Sequence, residues 1–195
     1  MTSRDTMTPL APWLADTHAS TFDALQAQWL VRPGALTAGL RALGQLELTV
    51  LREYPDTLAN AEAWMIQGQG GDDIWVREIY MSIDGTPCVT ARSFTRLRDA
   101  QGCWQGIRGL GTRPLADMLY HNPDIQRSPF WICALSEQQP LYHTVQRTPM
   151  DPNTADPTQP LLARCSTFWY QDNPLLVAEC FLPDFWPIAQ RSART

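Results

Sequence analysis

The chain has no lysine; all 15 of its basic residues are arginine. That absence excludes a P-loop, whose lysine must reach a nucleotide phosphate, and "GIRGLG" is too compact for the GxGxxG dinucleotide fingerprint. No GxSxG elbow occurs, so the α/β-hydrolase pattern is missing too. His18, His121 and His143 show no metal-ligand spacing with one another or with the cysteines. The five cysteines (Cys88, Cys103, Cys133, Cys165 and Cys180) are scattered, with no CxxC. Their odd number and the lack of a secretory signal point to reduced thiols in a cytoplasmic protein. The opening "MTSRDTMTPLAPWLADTHAS" has no continuous apolar segment. No stretch approaches the ~18 apolar residues of a membrane span. The net charge of −5 argues against nucleic acid as a partner.

What is present suits one folded domain. The chain has 195 residues, 44% of them hydrophobic and 10% aromatic, enough to fill a core. Residues 1–19 read as an irregular arm, 20–187 as a single domain and 188–195 as a tail. In "STFDALQAQWLV", Ser20 and Asp23 resemble a capping box ahead of a helix. "RPGALTAGLRALG" reads as a second short helix stopped near Gly44. "QLELTVLREY" alternates as a strand does. "CWQGIRGL", "PFWICALS" and "LYHTVQR" read as further strands, and "GTRPLADMLYH" as a turn and a helix capped by Thr112. "TPMDPNTADPTQP" is a polar loop expected to be exposed and mobile. Runs of strands, with helices grouped mainly near the start, predict an α+β fold with an antiparallel sheet packed against helices.

"WVREIYMSIDGTPCVTARSF" carries the most information. Asp84-Gly85 signals a two-residue type I′ hairpin turn. If these two residues form the whole loop, Ile83 faces Thr86 and Arg77 faces Arg92. Trp75, Ile79 and Met81 share the face of Arg77. Like charges directly opposite are destabilising, and a buried charge without a partner is costly. Three readings remain open. An internal carboxylate (Glu47, Glu53 or Glu78) neutralises the pair, or the face is half open to water, or the arginines bind a small carboxylate ligand.

A second hairpin lies in "LLARCSTFWYQDNPLLVAECFLP". With Gln171 facing Pro174, Ser166 faces Glu179 and Arg164 is diagonal to Glu179. A glutamate amid "LLVAECFLP" is out of place in an apolar run. It is either the partner of a structural ion pair with Arg164 or a group that handles a hydroxyl or a proton. Two helix starts, near Leu36 and near Leu115 after Pro114, offer free N–H donors to a carboxylate.

Taken together, "WVREIYMSIDGTPCVTARSF", "LGTRPLADMLY" and "LLARCSTFWYQDNPLLVAECFLP", in that order, resemble the chorismate lyase family from the first helix to Pro183. The resemblance implies a single antiparallel sheet against helices, with the product enclosed beneath helical flaps. It implies cleavage of chorismate to 4-hydroxybenzoate and pyruvate, toward ubiquinone, without metal or cofactor. By resemblance, Arg77 and the backbone N–H groups of Leu36 and Leu115 hold the product carboxylate, and Glu179 meets its hydroxyl. Arg92 and Arg164 match arginines of the family without a clear role; either suits the enolpyruvyl carboxylate. Ala116 stands where glycine is frequent, and Arg96 where proline is.

The expected partners are therefore chorismate and 4-hydroxybenzoate, in a monomer. The alternative from another class is a non-catalytic small-molecule sensing domain of the related transcription-regulator fold. Those regulators usually carry a winged-helix region ahead of the sensor. The residues before the first core strand here are too few and not basic enough for one.

Overall fold

The computed structural model describes residues 12–150 and 159–193. In chain order its elements are β1 (Leu14–Ala15), α1 (Ala24–Leu30), α2 (Leu36–Arg41), β2 (Leu46–Thr57), α3 (Asn60–Ala63), β3 (Asp73–Ile83) and β4 (Thr86–Arg96). Then come α4 (Leu97–Ala100), α5 (Ala116–Leu119), β5 (Gln126–Arg127), β6 (Trp131–Ala134), α6 (Pro140–Gln146), β7 (Leu162–Tyr170), β8 (Asn173–Phe181) and α7 (Phe185–Ser192). All strand pairs are antiparallel. They form one sheet in the order β1-β6-β7-β8-β4-β3-β2, with β5 also on β7. The α+β expectation holds. No helix among the described residues is long and apolar enough to cross a membrane.

Both faces of the sheet are covered, which is why its central strands are buried on both sides. One face packs Val76, Phe94, Cys165 and Ala178 against Met65, Leu141 and Val145. The opposite face carries two separate clusters. One joins Ile79, Met81 and Phe181 to Trp29, Leu36 and Phe185. The other joins Phe168 and Leu175 to Trp104, Leu115 and Leu119. Where these two part, the sheet is left with a hollow.

Several local expectations change. The capping box belongs to Asp23 and Gln26: Gln26 N donates to Asp23 Oδ1 at 2.8 Å, and Asp23 N to Gln26 Oε1 at 3.3 Å. Ser20 lies in a 3-10 turn instead. "LYHTVQR" is helix α6, with Pro140 in its first turn and Leu141, Thr144 and Val145 buried at helical spacing. "CWQGIRGL" holds a 3-10 helix, Gln105–Gly109, beside the buried Trp104. Helix α5 starts without a side-chain cap, so Thr112 does not cap it. Leu14 and Ala15 of the expected arm pair with β6, and α7 runs through the expected boundary at 187. Residues 151–158 of the polar loop lie outside the described residues.

The hairpin registers matter most. Asp84 and Gly85 do form the first turn, with φ of 49° and 81°. The ladder then slips: Ser82 pairs with Pro87 but Met81 with Val89, which leaves Cys88 as a bulge. Pro87 has no N–H for the ladder, and proline in a strand marks edges or bulges. A one-residue slip exchanges the faces of every side chain beyond it. Arg77 therefore opposes Ser93, Arg92 opposes Glu78, and the facing pair of arginines does not exist. In the second hairpin the loop is Gln171-Asp172, both left-handed, at φ 49° and 64°. Asn173 Nδ2 ties it by donating to Gln171 O at 2.8 Å. This puts Arg164 directly opposite Glu179 rather than diagonal to it.

Candidate active site

The hollow is a pocket with about 580 Å³ of empty space, its open mouth included. Its floor is apolar sheet: Ile79, Met81, Ala91 and Val177. Leu36 and Thr37 of α2 close one side, and Leu115, Ala116 and Leu119 close the other. Arg77, Arg164 and Glu179 reach it from three different strands. Arg92 does not.

Arg92 points to the other face, where its Nε and Nη2 donate to Glu62 at 3.1 and 3.2 Å. Glu78 lies 3.7 Å from its Nη1 and accepts from Tyr54, Thr144 and Arg147. This buried network pins α3 and α6 to the sheet. The structure thus withdraws Arg92 from the candidate ligand contacts.

Arg77 is 2% exposed and has an internal partner, as one reading of the sequence allowed: Nε donates to Glu53 at 2.9 Å. A bulge in β2 between Val50 and Arg52 brings Glu53 opposite Arg77. Nη2 donates to Gly111 O at 2.5 Å and approaches Arg113 O at 3.5 Å. The same guanidinium therefore anchors the turn that leads into Leu115. Nη1 makes no hydrogen bond to a described residue. Burial pulls the Arg77 guanidinium below its ordinary pKa, against the pairing with Glu53. An anion in the pocket would offset that penalty.

Arg164, also 2% exposed, mirrors this arrangement. Nε donates to Glu179 Oε2 at 2.7 Å, and Nη1 donates to Trp29 O at 3.1 Å and Arg32 O at 3.2 Å. It fixes the chain end of α1 that leads into α2. Each pocket arginine thus links one carboxylate to the root of one helical flap. Leu36 is the first residue of α2 and Leu115 the cap residue just before α5, positions where N–H groups have no preceding helical carbonyl to bond. The flaps meet directly: Tyr120 Oη donates to Gly34 O at 2.9 Å, and its ring stands edge-on to Phe168. Nothing in the sequence around Tyr120 announces this contact.

Arg77 and Glu179 lie two strands and two residues apart, a Cα separation of about 12 Å from standard sheet spacings. Both line the same pocket, which therefore has two separate polar ends joined by an apolar floor. Among the described residues, no three His, Cys, Asp or Glu side chains cluster as metal ligands would. All five thiols are free; burial pushes Cys88 up to about 11 and Cys133 to about 12.

The family model of chorismate lyase matches residues 7–191. The chain belongs to the chorismate lyase family. It is 50% identical over 183 residues to the "Probable chorismate pyruvate-lyase" of Bordetella pertussis, covering 93% of this chain and 94% of that one. To "Probable chorismate pyruvate-lyase 1" of Pseudomonas fluorescens it is 39% identical over 158 residues, 81% and 82% of the two chains. Among solved structures, the effector domain of PhnF from Mycobacterium smegmatis shares the fold. The TM-score is 0.52 at 13% identity, over 77% of this chain and 90% of that one. In this member of the family, the arginine at position 96 donates to Ile66 O and Gln67 O at 3.2 and 3.3 Å, which ties down the turn before β3.

Proposed function

We propose that this lyase-family member cleaves chorismate to 4-hydroxybenzoate and pyruvate, supplying the aromatic acid for ubiquinone. The observation that carries the reading is the polarity of one pocket. It has the Arg77 guanidinium at one end, an apolar floor, and a carboxylate held by Arg164 at the other, with Leu36 and Leu115 in its walls. Arg77 with the N–H groups of Leu36 and Leu115 takes the ring carboxylate. Glu179 accepts the hydrogen bond of the 4-hydroxyl, and its ion pair with Arg164 fixes it in place. This reading takes the protein to act as a cytoplasmic monomer.

The reaction needs no electron acceptor. The C4–H electron pair becomes part of the ring π system, and the C3–O pair departs with the enolpyruvyl oxygen. The C4 proton ends on the methylene carbon of that fragment, which leaves as pyruvate. Aromatisation supplies the driving force, so the residues need only orient the ring and hold developing charge.

The deciding assay mixes purified protein with chorismate in the presence of a chelator and measures both products. Equal amounts of 4-hydroxybenzoate and pyruvate are expected. Tight binding of aromatic acids without turnover would instead favour a sensing domain, the role suggested by the PhnF-like fold.

Enclosure beneath clasped flaps also predicts slow product release. A pre-steady-state burst of 4-hydroxybenzoate close to one per site is expected. Tyr120→Phe removes the hydrogen bond to Gly34 but keeps the ring on Phe168. It should speed release of 4-hydroxybenzoate about 5-fold, given a net worth of about 1 kcal/mol for one such bond. A linear time course without a burst, or an unchanged release rate in stopped-flow displacement, contradicts this.

A further inference from the structure

Arg127 lies in the two-residue strand β5, opposite Phe168 of β7. Residues directly opposite in an antiparallel pair share a face. The Arg127 side chain therefore stands on the pocket side of the sheet. Its guanidinium carbon is 4.1 Å from the centroid of the Phe130 ring, and that of Arg164 is 4.5 Å from the same ring. Phe130, Phe168, Tyr120 and Arg164 all line the pocket. Burial pushes the Tyr120 phenol up; the Arg127 guanidinium pulls it down by its charge and by a hydrogen bond to the phenol, Glu179 pushes it up and Arg164 pulls it down. These groups thus gather at the Glu179 end.

Two guanidiniums crowd one ring there, and Glu179 pairs with Arg164. Arg127 Nη1 is buried and has no hydrogen-bond partner among the described residues. A buried charged donor left without an acceptor is costly, and such groups in native proteins call for an explanation. A ligand anion supplies one.

Resting on the chorismate reading of the pocket, we propose that Arg127 is a substrate-binding residue that takes the enolpyruvyl carboxylate, with Arg164 beside it. The connectivity of the substrate places this group well. If Glu179 holds the hydroxyl on C4, the ether on the adjacent C3 emerges at the same end. It extends toward Tyr120, which is 43% exposed at the mouth. A planar guanidinium fork suits a carboxylate in two-point contact. The aromatic product has lost this carboxylate, so Arg127 grips substrate and not product, and the pyruvate fragment is released nearest the opening.

The test uses two probes that cannot react, 4-hydroxybenzoate and 3-(carboxymethoxy)-4-hydroxybenzoate. The second adds a carboxylate on an ether next to the hydroxyl. Calorimetry on Arg127→Gln should show affinity for the dianion about 10–100-fold weaker, with 4-hydroxybenzoate unchanged. Turnover of chorismate should show kcat/KM falling by a similar factor, partly recovered in Arg127→Lys, which also serves if the glutamine variant does not fold. Equal losses on both probes would mark Arg127 as packing and overturn the proposal. So would unchanged affinity for both. A parent protein that shows the split between probes yet leaves chorismate intact would refute the lyase reaction while keeping the anion subsite.

Discussion

Arg77→Ala is expected to weaken 4-hydroxybenzoate binding by about 10–100-fold, the equivalent of one charge-assisted contact at about 1.5–3 kcal/mol. The loss has two sources. The carboxylate loses its guanidinium, and the turn bearing Leu115 loses its anchor, because Arg77 also donates to Gly111 O. Two facing arginines would repel, and removing one would raise the melting temperature. The actual partner is Glu53, so the variant should melt lower, with a carboxylate left unpaired. Arg77→Lys keeps the charge but not the fork, and should retain only part of the affinity. Unchanged product affinity by calorimetry in Arg77→Ala would show that the residue serves the fold alone.

Glu179→Gln is expected to lower kcat about 10-fold, with a smaller change in KM. Glu179 is held by Arg164 at 2.7 Å, a fixed acceptor well suited to orient a hydroxyl. Loss of one orienting hydrogen bond costs about 1 kcal/mol, and glutamine still accepts one. A general acid or base would be worth ~10²–10⁴-fold, so a loss in that range assigns proton transfer to Glu179. Arg164 keeps the carbonyls of Trp29 and Arg32 as partners, so the variant should stay folded. Parent-like kcat and KM would remove Glu179 from the active site.

The two hairpins show how far the sequence can be read. Asp84-Gly85 specifies its turn because both residues tolerate positive φ, and the turn is where the pattern places it. Register is another matter. Both faces of β3 and β4 are buried, so the apolar pattern looks equally good before and after a one-residue slip. The clue is Pro87, which cannot serve the ladder and accompanies the bulge at Cys88. Missing it puts Arg92 on the wrong face; including it separates the pocket-lining Arg77 from the structural Arg92. Glu179 was legible because a glutamate in an apolar run demands a partner, and it has one. In "LYHTVQR" the alternation imitates a strand, whereas Pro140 and the burial of Leu141, Thr144 and Val145 follow a helix. Tyr120 and Arg127 carry no local signal at all. Tyr120 meets Gly34, 86 residues earlier in the chain, and the role proposed for Arg127 depends on Phe168 and Arg164, which only the folded sheet brings near it.

In the proposed binding mode, one pocket holds a carboxylate at Arg77 and a hydroxyl at Glu179. A crystal structure with bound 4-hydroxybenzoate tests it most directly. The expected pose has the carboxylate on Arg77 and the N–H groups of Leu36 and Leu115, with the hydroxyl on Glu179 and the ring over Ile79 and Val177. A ring reversed so that its carboxylate meets Arg164, or a product bound outside this pocket, would contradict the claim.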